Sequence, residues 1–292
     1  MITVLISGGL GNQMFQYAAG KALAKRLHTT LNLDLYPLEK KTQSTGRHYE
    51  LGIFNIDVEK KHTLKGKFFY KARPFIQKHR PFFQKFGFFS DTMAILYQPD
   101  FETLKGNVCL SGYFQNERYF ESVKEELYKD FTFEQPLNER NKAIADQIQS
   151  GQSVAVHIRR GDYITNKSAA SNFVTCGTDY YKKSIEEVIE KIDNPVFYVF
   201  SEDFEWIKEN ITFGDYSVHY IDWNKGVESY IDMQLMSLCK HNIIANSSFS
   251  WWAAWLNSNP KKLVLAPGKW FQDEEKNRLL DDFYPKGWIK ID

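Results

Sequence analysis

At 292 residues, 43% hydrophobic and 25% charged, the chain has the composition of a globular protein and the length for two ordinary domains or one large one. A formal net charge of +1 argues against a nucleic-acid binder. Cys109, Cys176 and Cys239 stand far apart without metal-ligand or Cys-x-x-Cys spacing, which fits reduced thiols rather than a disulfide framework.

The opening MITVLISGGLGNQ enters a strand over 2–6 without the basic flank and long apolar core of a signal peptide. No apolar run reaches the roughly 18 residues that span a bilayer. We therefore expect a soluble, cytoplasmic protein. The strand leads through SGGLGNQ into the Ala-rich helical stretch MFQYAAGKALAKRL and a second strand, TLNLDL, over 30–35. This is the β-loop-α-β opening of an α/β domain with a parallel sheet. Glycines after a strand let the backbone approach a ligand and leave amides open at a helix start. Gly9 and Gly11 fit the first part of a dinucleotide fingerprint, but its third small position falls on Met14. Asp34 lies where a ribose-binding acid is expected. A nicotinamide-dependent oxidoreductase is thus one alternative, and a simple tight turn another.

Between Lys60 and Phe89 stand nine Lys/Arg, nine Phe/Tyr and no acidic residue. That pattern reads either as a helical pair with a solvated basic face or as a surface for anionic lipid or a lipid-phosphate-linked acceptor. Residues 107–131 read as strand, loop and helix, and the domain boundary is expected near residue 150. The strands VAVHI, VFYVF, SVHYI and NIIAN follow, each trailed by a helix or loop, before a last strand, KLVLA, and an aromatic tail. No internal repeat is evident. Two consecutive α/β domains, each with its own sheet, would leave a cleft between them.

Ligands of parallel α/β sheets bind beyond the carboxyl ends of strands, where Arg159 and Arg160 sit. Arginine grips phosphate oxygens with a planar fork and stays charged at any working pH. The alternative is a salt bridge to Asp162. The two arginines are expected to divide these roles, Arg159 facing the ligand and Arg160 or Asp162 bracing the loop. The tripeptide Arg160-Gly161-Asp162 also spells an integrin motif, which three residues do not establish. In IIANSSFSWWAAWL (243–256), Ser247 or Ser248 can cap a helix whose free amides would face an anion. The tryptophans there, with 16% aromatics overall, keep a non-catalytic sugar-binding protein as a second alternative. Asp232 stands beside an apolar helical stripe, where it is either a solvated charge or an acceptor for the N1 and N2 donors of guanine. The residues alone favour the solvated charge. No metal-ligand spacing, Gly-x-Ser-x-Gly elbow or Walker loop is present, and Asp281-Asp282 is expected in a loop.

Taken together, GGLGNQMFQYA, HIRRGDY, FSEDFEW, DMQLMSLCKH and IIANSSFSWWAAWL resemble the α-1,2-fucosyltransferases of glycosyltransferase family 11, chiefly bacterial members. The resemblance runs from residue 7 to about 270. It implies an α/β, GT-B-type fold of two Rossmann-like domains facing each other across a cleft. Residues 1–150 would be the acceptor side and 151–292 the GDP-fucose-binding domain, with the tail able to pack back on the first. The implied reaction moves L-fucose from GDP-β-L-fucose to the 2-hydroxyl of a terminal galactose, with inversion, no cofactor and no essential metal. By the same resemblance Arg159 grips the β-phosphate as the catalytic group, and His157 lies beside the nucleotide. Asp232 reads guanine, against the reading from residues alone, and Asn246, Ser247, Ser248 and Phe249 form the phosphate-binding turn. Gly9, Gly11, Asn12 and Gln13 match the loop that approaches the sugar-phosphate. SEDFEW departs from the family's two aspartates in carrying Glu202 first, so Glu202 is given a supporting role with Arg160 and Asp162. The implied partners are GDP-fucose and a galactose-terminated acceptor glycan, such as an O-antigen intermediate. Apart from the resemblance, the basic-aromatic composition of residues 60–89 leans toward a lipid-linked acceptor, with a peripheral contact at the inner membrane.

Overall fold

The computed structural model describes residues 1–40, 47–161 and 167–292, with the backbone alone for 167–169. The chain divides into two compact units, Met1–Glu134 with Asp281–Tyr284, and Gln135–Leu280 with Pro285–Asp292. Residue 150 ends the helix Glu139–Ser150, which clusters with the second unit, so the division falls earlier than the sequence places it. The buried Asn141, Ala145 and Ile148 explain this, because that helix packs on the helix Tyr230–Leu238. Asp281 and Asp282, expected in a loop, lie in the short helix Leu280–Phe283. Asn116 and Arg118 both donate to Asp282, which ties this turn to the first unit.

The first unit holds β1 (Ile2–Leu5), β2 (Leu31–Asp34), β3 (Glu59–Lys60), β4 (Phe88–Ser90) and β5 (Val108–Ser111). They form one parallel sheet in the order β3-β2-β1-β5-β4. β1 and β5 are buried at every position, as strands covered on both faces must be. The helices Leu10–Arg26 and Leu64–Lys78 pack on this sheet. Gly20 sits at the closest approach, where an added Cβ would come within 2.4 Å of Val4.

The second unit holds β6 (Ser153–Ile158), β7 (Val196–Ser201), β8 (Val218–Ile221), β9 (His241–Ile243), β10 (Val264–Pro267) and β11 (Ile289–Ile291). The sheet order is β11-β10-β9-β6-β7-β8, and every pairing is parallel. Renumbered within the unit this is 3-2-1-4-5-6, the doubly wound nucleotide-binding order. The chain runs outward from β6 through β7 to β8, then returns to β9 on the other side of β6. Val156 pairs with Ile243 at this junction. The strand order reverses there, and the crevice beyond the carboxyl ends of β6 and β9 is where such sheets bind ligands. Arg159 follows β6, and Asn246 and Ser247 follow β9.

The tryptophan cluster belongs to the core. Trp251, Trp252 and Trp255 are at most 2% exposed, with ring centroids 5.2 and 5.1 Å apart along the series. A sugar platform needs exposed ring faces, so these indoles do not supply the one that the lectin alternative requires.

Candidate active site

The site grows from the ends of β6 and β9. Ser247 has extended backbone angles and is the N-cap of the helix Ser248–Leu256, its hydroxyl accepting from the Phe249 amide at 3.3 Å. The same oxygen accepts from Arg159 Nη1, also at 3.3 Å. One hydroxyl thus joins the guanidinium to the start of a helix, where amide dipoles favour an anion. Of the amides expected to face the ligand, that of Ser247 donates to the Ala245 carbonyl and that of Phe249 to the cap. Among the described residues the Ser248 amide has neither engagement.

Asn246 is fully buried, and its side-chain amide donates to the Val174 and Trp270 carbonyls at 2.5 and 3.2 Å. It therefore positions the turn rather than offering donors to a ligand. The His157 ring lies 6.0 Å from that of Phe249. Burial first, and the Arg159 charge second, push its pKa down to about 3, so the imidazole is neutral near pH 7. Its Nδ1 is buried without a hydrogen-bond partner among the described residues. The Tyr181 hydroxyl donates to the His157 carbonyl at 3.2 Å, and that of Tyr180 to the Ile244 carbonyl at 2.6 Å. Both strand ends are thereby anchored from the helix Thr178–Lys191.

Arg160 turns away into a brace. Its Nε bonds Asp203 Oδ2 at 3.1 Å, and its guanidinium stacks 3.8 Å from the Trp206 ring centroid. An arginine held this way is not displayed as an integrin ligand requires. Asp162 lies outside the described residues. Glu202 is exposed, and a Cβ on Gly161 would come within 2.0 Å of its Oε2, so its carboxylate lies against the Arg160–Gly161 turn. Sequence reasoning missed Asp203, which both pairs with Arg160 and caps the helix Phe204–Asn210 by accepting from the Trp206 amide. The Asp-x-x-Trp spacing before a helix was the available signal.

Asp232 occupies the first turn of Tyr230–Leu238, a helix that packs against Ser248–Leu256. Asn224 donates to its Oδ1 at 2.8 Å. Asn224 in turn exchanges bonds with Asn141, which accepts from the Trp223 indole at 2.9 Å. Burial pushes the Asp232 carboxyl up to about 7, against the smaller opposing effect of Asn224. A solvated helix charge would not behave so, which removes the reading that the residues alone favour. No local pattern announces Asn141 or Asn224, since their contact spans 83 positions.

In the first unit, Leu10 N donates to Glu50 Oε2 at 2.9 Å, and the amides of Asn12 and Gln13 both donate to the Gly9 carbonyl. The helix start that the sequence leaves open for an anion is thus already capped by a carboxylate. Gln13 is fully buried and donates to the Gly8 and His48 carbonyls while accepting from Glu50 N, so it supports the loop. Asn12 accepts from Gln115 at 2.7 Å. Gly11 is buried, and the Arg47 guanidinium lies beside Gly9. Asp34 is also fully buried and accepts from Tyr36 N, Thr63 N and the Thr63 hydroxyl, with His62 at 3.1 Å. Those partners leave it no role in binding a ribose, and the oxidoreductase alternative loses its acid. Among the described residues no group of three or more His, Cys, Asp or Glu could hold a metal ion, and no helix is long and apolar enough to cross a membrane.

The model of Glycosyl transferase family 11 matches residues 1–292. The chain is 38% identical over 302 residues to an alpha-1,2-colitosyltransferase of Escherichia coli, covering 100% of this chain and 99% of that protein. It is 36% identical over 307 residues to the O-antigen biosynthesis glycosyltransferase WbnK of Escherichia coli, covering 98% and 99%. Among solved structures, the fucosyltransferase NodZ from Bradyrhizobium aligns with a TM-score of 0.51 at 12% identity, covering 86% of this chain and 90% of that one. The fold is of the GT-B type, with two Rossmann-like α/β units. A match along the full chain and two relatives of nearly equal length lead to one conclusion: this protein is a member of glycosyl transferase family 11.

Proposed function

We propose that the enzyme transfers L-fucose from GDP-β-L-fucose to the 2-hydroxyl of a terminal galactose, with inversion and without a metal ion. The observation that carries this reading is the Arg159–Ser247 pair at the reversal point of the second sheet. The fucose C1–O bond lengthens, its electrons pass to the β-phosphate oxygen, and the ring gains oxocarbenium character. Arg159, the Ser247 hydroxyl and the Ser248 amide meet the growing charge, and a contact stronger in the transition state than in the ground state is what accelerates the step. The acceptor oxygen bonds to C1 from the opposite face, and its proton passes to solvent. With departure well advanced, the acceptor needs no strong base, and neutral His157 lines the nucleotide instead. Asp232, once ionised, accepts from N1 and N2 of guanine. The loop carrying Gly9, Gly11, Asn12 and Gln13 belongs to the same proposal as a backbone scaffold, since Gln13 is otherwise engaged. We place the reaction in the cytoplasm at the inner membrane, on an O-antigen-type acceptor.

The second reading replaces fucosyl by colitosyl, favoured by the activity named for the 38% identical relative. The deciding assay mixes the protein with lactose, EDTA and either GDP-fucose or GDP-colitose. GDP and a fucosylated trisaccharide from the first mixture support the proposal. Turnover of GDP-colitose alone supports the second reading, and no turnover with either donor contradicts both.

A further inference from the structure

The described residues include six exposed large hydrophobic side chains, and five of them, Leu64, Phe68, Phe75, Phe82 and Phe86, fall in one short stretch of the first unit. The helix Leu64–Lys78 buries Gly66, Phe69 and Ile76 on one side. Its exposed Leu64, Phe68, Lys71, Phe75 and Lys78 recur at i, i+4, i+7, i+11 and i+14, a single stripe on another side. The following helix, Arg80–Gln84, adds Phe82, and Phe86 comes just after it.

These rings form a continuous patch. Phe82 meets Phe86 at 5.1 Å and Phe83 at 5.3 Å, and Phe83 meets Phe75 at 5.7 Å and Phe88 at 6.1 Å. Phe88 completes the series at 5.8 Å from Phe68. Exposed Lys67, Lys71, Lys78 and Lys85 border it, and no ion pair engages them among the described residues. Two cations nearby are already used. Lys65 donates to the Phe86 and Asn107 carbonyls, and Arg80 pairs with Asp100. From Lys60 to Phe89 no carboxylate intervenes.

We infer that this face docks on an anionic bilayer, the phenylalanines entering the headgroup boundary while the lysines stay among lipid phosphates. Charge complementarity selects that occupant, because four exposed lysines that no ion pair engages among the described residues, around an apolar patch, oppose a second copy of the same face and favour a negative surface. An apolar stripe with a lysine border is the arrangement that lies in a membrane interface. Each lysine near such a surface is worth roughly fivefold in partitioning, and the effect is screened by salt. The proposal is independent of the donor assigned above.

The test is co-flotation of the full chain with phosphatidylcholine vesicles, with and without phosphatidylglycerol, at low and high salt. Retention on the anionic vesicles that weakens with salt is expected. The triple variant Lys71→Glu, Lys78→Glu and Lys85→Glu should lose on the order of a hundredfold in partitioning. Phe68→Ser, Phe75→Ser and Phe82→Ser together should abolish the retention that survives high salt. Circular dichroism should show both variants folded, as the changed side chains are exposed. Failure of the native protein to float with anionic vesicles at low salt overturns the inference, as does retention unchanged in both folded variants. Light scattering that finds a dimer, split by the phenylalanine variant and indifferent to vesicles, overturns it in favour of a second copy.

Discussion

Arg159 and Ser247 lie 88 positions apart in the chain and meet at 3.3 Å where β6 and β9 part company. The guanidinium supplies full charge, and the serine ties it to a helix start. Replacing Arg159 by alanine should lower kcat roughly a hundredfold or more, about 3 kcal/mol, as for other preorganised donors to a developing anion. Arg159→Lys should recover only part, because the charge returns without the planar fork. Ser247→Ala should lower kcat too, and the double variant should lose less than the sum, since touching groups couple. Steady-state release of GDP on the four proteins of that cycle measures the coupling.

If Asp232 reads guanine as proposed, donor binding depends on pH. Its carboxyl, held up to about 7 by burial, must ionise to accept two guanine donors. The donor KM should therefore rise as pH falls from 8 to 6, with kcat at saturation little changed. His157 does not produce this inflection, because it titrates near 3. Asp232→Asn should raise the donor KM by a hundredfold or more, as expected for two charge-assisted bonds. Initial rates across donor concentration and pH check both.

The same group should shape stability. Unfolded, the carboxyl titrates near 4, and folded near 7, so between these values the folded chain holds a proton that the unfolded chain has released. Stability from this group is full below about pH 4, falls as pH rises to about 7, and is flat above. Asp232→Asn removes the penalty and should stabilise the protein at pH 8, relative to native, by on the order of a few kcal/mol. At pH 4 the difference should vanish. Urea unfolding at the two pH values measures it.

Asp203 serves the arginine loop through Arg160. Asp203→Ala should destabilise the protein by about 1–2 kcal/mol, most from the lost helix cap and less from a partly exposed ion pair. Asp203→Asn keeps a cap oxygen and should restore most of that stability while leaving Arg160 unpaired. Denaturation midpoints separate the two contributions.

Gln13 discriminates support from contact. Losing its amide leaves two carbonyls and one amide of the loop unpaired. Gln13→Ala should cost about 2–4 kcal/mol of stability. The surviving folded enzyme should keep its donor KM. A large KM change at unchanged stability would assign Gln13 to the ligand instead.

Much of this was readable because it is local. Apolar runs ending at Arg159 and Asn246 identify strand ends, and the alternation of strand and helix places both in parallel sheets. Three strands escaped detection for physical reasons. β3 is two exposed residues, β4 is buried in a phenylalanine-rich run that reads as helix, and β11 is a short Ile-Lys-Ile at the chain end. The site's second layer was illegible for a different reason. Asn141, Asn224 and Tyr181 act through partners set by the fold rather than by neighbours in sequence. The tryptophans point the same way, since composition marks them as a surface and burial makes them core.

The most direct measurement is a crystal structure of the enzyme with GDP. The β-phosphate should lie within hydrogen-bonding distance of the Arg159 guanidinium and of the Ser247 hydroxyl or Ser248 amide, with guanine on Asp232. A diphosphate bound elsewhere, contacting neither Arg159 nor the start of Ser248–Leu256, would contradict the account.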